Sequence, residues 1–394
     1  NLQAPAYTQP VGYTLSVGDI KRAGGSQASI KDGVVSSYDI SGATIKLDQS
    51  ASRTKAGGAM VAYSDSGDLR SLTAGGCVQS SVTSWIVGGA TIVGSSSTLY
   101  VANPGNTTVN VKVTAWGASG EISLPSDGQL SIAPGKATQL ALENSADADP
   151  QLALRVQPEG GRVAAWVASQ KLDGESAAGS DIITSTASAG TSLTIGALSI
   201  DKAASQITPQ AAAADAAATP SPSAAASATA TPSAKATAKA SAKASSAAKA
   251  SATPSATATT AAATPSPSAS ADSLDLSGAL NEPRLRVLNP GDKTAHVKVT
   301  LLGKSGPVQF APASGLNVKA GQVADLPLGG LAQGTYGVKI DSDQPVSAAA
   351  LSTSQGSEYP ELSGQHIHDF TWSQAQTGQG GGAMLPRQDV TSQL

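Results

Sequence analysis

The chain has 394 residues, 13% of them charged and 3% aromatic, and a formal net charge of −3. That balance excludes nucleic-acid binding through a globally basic surface, and the single cysteine, Cys77, excludes an internal disulfide and a cysteine-built zinc cluster. The length is ample for two or three hydrophobic cores.

Residues 1–10 read as a lead-in, and NLQAPAYTQPVGYTL has neither the charged start nor the apolar segment of a signal peptide. No run of 18 or more apolar residues marks a membrane-spanning helix. Any leader or membrane anchor is therefore expected to lie outside this sequence. From Tyr13 onward short apolar runs alternate with Gly/Ser turns: SSYDISG, ATIKLDQS and GGAMVAYSDSG. The last lines up with AAWVASQKLDG at 164–174 and more loosely with AAALSTSQG at 348–356. Residues 1–97 are thus expected to form an N-terminal β-module that resembles the second half of a repeated unit, its first half divergent or absent.

The repeated unit is plainest at TLYVANPGNTTVNVKVTAWGASG, residues 98–120. It returns as RLRVLNPGDKTAHVKVTLLGKSG at 284–306, a constant offset of 186 with 13 of 23 positions identical. Leu99 and Val101, then Val109, Val111 and Val113, recur at every second position, the period of a strand with one buried face. Between them Asn103-Pro104-Gly105 is turn chemistry, with Pro presetting φ and Gly placed where φ > 0 is expected, so NPG reads as scaffold. The offset carries on into LSIAPGKATQL (130–140) and LNVKAGQVADL (316–326). QLALRVQPEGGRVAAWVAS and TYGVKIDSDQPVSAAALS continue the two copies. The expected fold is all-β: tandem antiparallel sandwich modules, immunoglobulin-like in the broad sense of two packed sheets. Repeats are placed at 98–208 and 274–394, and the C-terminal part of the second is expected to be incomplete.

Between them, 209–273 is nearly all small residues, and 219–271 contains only Ala, Ser, Thr, Pro and Lys. With no large apolar side chain to bury, such a stretch cannot offset a backbone ordering cost of roughly 1–2 kcal/mol per residue. It is expected to be a disordered insertion that lengthens one connection. Lys235, Lys239, Lys243 and Lys249 make it locally basic. The Thr-Pro positions Thr219, Thr231, Thr253 and Thr264 are its candidate O-glycosylation sites, against the alternative of an unmodified tether.

Chemistry-bearing residues are few. His366 and His368 in GQHIHDF share one strand face, the geometry a metal pair needs, with Glu358 or Glu361 as a third ligand. Set against that is a polar strand face that happens to carry two imidazoles. Lone His296 reads as a surface residue. Glu143, Asp147 and Asp149 have calcium-loop spacing but lack the Gly and distal Glu of an EF-hand, so an exposed acidic turn is expected. The SAAK-type matches to a nucleophile motif fall in the insertion, where no active site can be preorganised, and Cys77 has no histidine near it in sequence. Trp116 and Trp166 align with Leu302 and Met60 and read as packing residues. Trp85 and Trp372 follow polar runs and read as plugs at module junctions; because sugars stack on exposed aromatic rings, they are also the candidates for glycan contact.

GGCVQSSVTSWIVGGATIVGSSSTLYVANPG, residues 75–105, with the VKVTAWGASG strand that follows, resembles an uncharacterised actinobacterial envelope protein family known only as a domain of unknown function. The resemblance covers nearly the whole chain except the insertion. It implies a secreted or membrane-anchored tandem β-sandwich protein without an assigned activity. The expectation is a non-enzymatic extracellular or cell-envelope scaffold, stalk or adhesion protein without cofactor, whose partners are wall glycan or envelope proteins. A carbohydrate-binding module protein is the second reading, and a metal-dependent hydrolase built on His366 and His368 the third.

Overall fold

The computed structural model describes residues 70–207 and 282–378, except 77, 146–147, 175, 187 and 360–361, together with the backbone of six strands between residues 8 and 64. Cys77, Asp147, Glu361, the expected disordered insertion with its four threonines, and the expected truncation after Trp372 beyond residue 378 lie outside the described residues.

Two-residue alternation of Val, Leu and Ile against polar partners dictates strands, and strands are what form. The N-terminal set is β1 (Thr8–Thr14), β2 (Gly18–Arg22), β3 (Gln27–Ile30), β4 (Val35–Ser37), β5 (Ile45–Asp48), β6 (Ala56–Ser64) and β7 (Ser71–Gly76). A first sandwich follows: β8 (Ser84–Val87), β9 (Ser95–Ala102), β10 (Val109–Gly117), β11 (Gly120–Ile122), β12 (Gln129–Ile132), β13 (Ala137–Ala141), β14 (Ala153–Glu159), β15 (Ala164–Asp173) and β16 (Ser176–Thr184). The second contains β17 (Gly190–Ile200), β18 (Arg284–Asn289), β19 (Ala295–Gly303), β20 (Gly306–Val308), β21 (Leu316–Val318), β22 (Gln322–Pro327), β23 (Gly334–Tyr359) and β24 (Leu362–Gln374).

In the first sandwich, sheet β13-β9-β15-β16 faces sheet β11-β10-β14-β8. Leu99, Val101, Val109, Val111, Val113, Leu154, Val156 and Val167 all point between them and are buried. The second sandwich repeats the plan with β22-β18-β23-β24 against β17, β23, β19 and β20. One 26-residue strand, β23, serves both of its sheets, pairing β19 through Gly337–Ser342 and β18 through Ser347–Leu351. Its core holds Leu285, Val287, Val297, Val299, Val338 and Ile340.

Strand pairing revises two features of the expected layout. The N-terminal sheets have the orders β4-β1-β6-β7 and β3-β2-β5, which repeat β13-β9-β15-β16 and β12-β10-β14 strand for strand. The N-terminal module therefore contains the first half of the unit too, in sequence too divergent to align. Secondly, β8 pairs with β14, and β17 pairs with β23 (Leu193 opposite Ile340, Ser199 opposite Thr335). Each sandwich thus begins one strand earlier than the duplicated hairpin marks. The insertion falls inside the second sandwich, between its first and second strands, where the first sandwich has only residues 88–94. Its two ends meet: Ile207 and Glu282 both abut Gly329. The amide N–H of Gly330 donates to the Ala204 carbonyl at 3.0 Å, and that of Leu328 to the Pro283 carbonyl at 2.8 Å.

The NPG turns are scaffold, through an atomic arrangement the two copies share. The Asn103 amide Nδ2 donates to the carbonyls of Thr107 (2.7 Å), Ile132 (2.9 Å) and Ala133 (3.3 Å), and its Oδ1 accepts from Gly105 N (2.9 Å). Asn289 does the same with Lys293, Val318, Lys319 and Gly291. Each asparagine ties its own hairpin to the strand after it (β12 or β21). Gly105 and Gly291 do not have positive φ, contrary to the turn expected. Their N–H closes the Asx turn, and an added Cβ would meet the Asn Oδ1 at 3.0 and 3.2 Å. Because Asn289 is fully buried, Asn289→Ala removes four hydrogen bonds and orphans buried carbonyls. The expected loss is roughly 2–4 kcal/mol of unfolding free energy, measured by urea titration, with Asn103→Ala matching it.

Candidate functional site

A buried arginine and its aspartate partner lie where the two sandwiches meet. In β18 the residues that alternate with the core positions Leu285 and Val287 face the other way, and in an isolated sandwich that face would be wet. Here it is buried: Leu288, Val323, Ala349, Leu351, Phe370 and Trp372 join the cluster that contains Trp85 and Trp116 of the first sandwich. The outer face of β22-β18-β23-β24 thus packs on the outer side of β8, β14 and β10.

Arg286 sits within this seam at 2% exposure. Its Nε donates to Asp325 Oδ1 at 2.8 Å and its Nη2 to Oδ2 at 2.9 Å, a bidentate pair within one sheet. The rest of the guanidinium reaches across: Nη1 donates to the Gly89 carbonyl at 2.6 Å and Nη2 to the Pro150 carbonyl at 2.9 Å. The Trp372 ring lies 4.7 Å from its centre, a contact worth up to about 2 kcal/mol where water is excluded. Burial alone would raise the Asp325 carboxyl, but Arg286 and Arg284 beside it hold it below the usual carboxylate range. Gly88, with φ +135°, lets Trp372 in: a Cβ there would lie 2.7 Å from the ring. Gln374 completes the seam by imitating a neighbouring strand. Its Oε1 accepts from Val87 N at 3.0 Å and its Nε2 donates to the Val87 carbonyl at 2.6 Å.

A second cluster lies where the last strands of the modules meet. Asp181 on β16 accepts from Trp372 N (2.7 Å) and the Thr371 hydroxyl (3.3 Å) on β24. Asp369 on β24 accepts from Leu72 N (3.4 Å) on β7, and the Ser180 hydroxyl donates to Ser71 at 2.7 Å. The three modules are joined pairwise by side chains of equivalent strands.

The model of a family of unknown function, DUF5719, matches residues 34–271 and again 251–394. The chain belongs to that family. No curated protein and no solved structure matches it. In this DUF5719 chain the candidate glycan aromatics are corrected by the structure: Trp85 and Trp372 are each only 8% exposed and have no free ring face. Trp85 stacks on Trp116 (centroids 6.1 Å apart), with Arg155 against both rings, and Trp372 is held by Arg286 and Gly88. The junction role expected of both is what the seam shows. Trp166, expected in packing, is only half-buried and stacks on Tyr100 at 5.6 Å.

His366 and His368 do share a face of β24, with Glu358 directly opposite His366. Yet His366 Nδ1 donates to the Gly356 carbonyl at 3.1 Å, and burial pushes His368 below its ordinary value. Among the described residues no group of three His, Cys, Asp or Glu side chains is placed to hold a metal ion. Asp149 is buried and not an exposed acidic turn: its carboxylate accepts from the N–H groups of Ala118 and Gln151, while Glu143 accepts from the Ser96 hydroxyl. His296 is exposed and meets Asn317. The residues that sequence reading missed are Arg286, Asp325, Asp181 and Gln374. The available signal was an arginine and an aspartate at the positions where the other repeat has Tyr100 and Gln139.

Arg286→Ala leaves Asp325 charged and buried beside two orphaned carbonyls, so it is expected to cost about 3–5 kcal/mol in chemical denaturation. The double change Arg286→Met with Asp325→Leu should recover part of that loss. The second cluster titrates. Burial, with Asp369 adding its charge, raises Asp181 to about 7, and burial raises Asp369 to about 6. Both folded values lie above the ordinary carboxylate value, so the folded chain retains protons that the unfolded chain releases. Their contribution is complete below about pH 4 and is lost as pH rises to about 6 and 7. Lys171, lowered to about 7 chiefly by burial, adds a slope of opposite sign only above that value. His368, lowered by burial, opposes this slope below its ordinary value, and Glu282, raised by burial, adds to it. The cluster's own share is what Asp181→Asn removes, so the melting temperature of wild type relative to that variant should fall between pH 4 and 7.

Proposed function

We propose that this protein is a non-enzymatic scaffold of the cell envelope, a rigid spacer that holds partners or wall polymer at a set separation. The observation that carries the reading is the use made of its buried charges. Arg286, Asp325 and Asp181 face neighbouring modules and not a cleft, and they join the sandwiches into one body. Catalytic groups sit where a substrate can reach them with shifted acid–base character; here the shifted carboxyls of Asp325, Asp181 and Asp369 lie under seams. An extracellular or envelope setting is supported by the low charge, the scarcity of aromatics and the Ser/Thr/Pro/Ala insertion.

The second reading, binding of wall glycan, would have to use Tyr100 and Trp166, since Trp85 and Trp372 are covered. Sedimentation of the full chain with purified envelope fractions decides between scaffold and enzyme. Retention that is unchanged by chelator and by His366→Ala with His368→Ala is the expected result. Release of soluble wall fragments that requires a divalent metal and disappears in the double variant would overturn it.

A further inference from the structure

Strand β17 stands before the insertion in the sequence and beyond it in the fold. Its chain follows on from β16 of the first sandwich, yet its strand partner is β23, with Leu193 opposite Ile340, Ile195 opposite Val338 and Leu198 opposite Tyr336. The edge away from β23 is engaged too: Thr194 N donates to the Gln376 carbonyl at 3.0 Å, and Gln376 N donates to the Thr194 carbonyl at 2.8 Å. Leu193, Ile195, Leu198 and Ile200 are at most 2% exposed. Apart from Ala204 and the partly buried Ile207, the apolar cluster they enter is made of residues from Leu285 onward. Without β17 that core would lose four aliphatic side chains from one side, and the backbone of β23 would be left with a bare edge.

Among the described residues the other ties between the parts before and after the insertion are noncovalent as well. Arg286 donates to the Gly89 and Pro150 carbonyls, Gln374 pairs with Val87, and Asp181 accepts from Trp372 N. Asp201 accepts from Gln355 N at 2.8 Å while its other oxygen caps Ala204 N at 2.6 Å. Each of these groups is placed by its own strand or turn, so the contacts do not call on residues 208–281 to hold them. The arrangement is that of a sandwich completed by a donated strand, in which main-chain pairing supplies affinity and alternate side chains fill a row of apolar sites.

We infer that the sandwich β18–β24 is an acceptor for the strand Gly190–Ile200, and that the parts of the chain on either side of the insertion remain a one-to-one complex when the connection between them is cut. The partner this surface fits is a separate polypeptide that carries β17 and the first sandwich. The inference goes beyond the scaffold reading and does not depend on the envelope assignment.

The test starts from the folded full chain, with the recognition sequence of a site-specific protease inserted after Lys239. After complete cleavage both fragments should elute together from gel filtration where the uncut chain elutes. Their urea midpoint should also come to depend on protein concentration, as that of a two-chain complex does. In the cut chain Leu193→Ser with Ile195→Ser should raise the dissociation constant about a hundredfold or more, while amide exchange in β9 and β10 stays as in wild type. Thr191→Lys, at an exposed position of the same strand, should leave the dissociation constant unchanged. Three results would overturn the inference. They are wild-type fragments that separate or precipitate on cutting, a dissociation constant that does not respond to the paired β17 change, and a midpoint of the cut chain that stays independent of concentration.

Discussion

A buried guanidinium has to have its donors satisfied, and only one arrangement of the two sandwiches does this for Arg286. Half of its hydrogen bonds go to Asp325 in its own sheet and half to the carbonyls of Gly89 and Pro150 in the neighbouring sandwich. Apolar packing alone is tolerant of rotation and slip. A charge with directional partners on both sides is not, because each displaced hydrogen bond leaves a desolvated polar group. The rest of the seam is arranged around that fixed point: Gly88 admits the Trp372 ring, and Gln374 pairs with the backbone of Val87 as an additional strand would.

The two copies show how one strand plan supports different surroundings. Both bury the same alternate positions inside the sandwich, and both tie their hairpins with a buried asparagine. They differ on the opposite set of alternate positions, where the first has Tyr100 and Gln139 and the second Arg286 and Asp325. Since successive residues in a strand point to opposite faces, that set can change without disturbing the core. Duplication of the unit therefore left one face free to become a seam.

How much of this was legible in the sequence follows from the range of the interactions. The hairpins, their turns and the all-β class rest on period-two alternation and on a near-identical repeat, both local signals. Allocation of β8 and β17 to their sandwiches was not legible, because pairing partners such as Leu193 and Ile340 are joined by no pattern in either segment. The N-terminal strands β1 to β5 were missed as a copy since their side chains diverge while their pairing order persists. Arg286 and Asp325 stand 39 positions apart, and Val87 and Gln374 stand 287 apart; nothing short of the fold brings them together. For Trp85 and Trp372 the polar runs before them pointed to a junction, with glycan contact as the alternative, and burial is what separates the two.

The meeting of Ile207 and Glu282 at Gly329 has a consequence of scale. A segment whose two roots share one spot can be lengthened or shortened freely, since the cost of closing it changes only logarithmically. The chain between these roots can therefore change in length without moving β17 or β18, because both roots are held at Gly329 and Gly330.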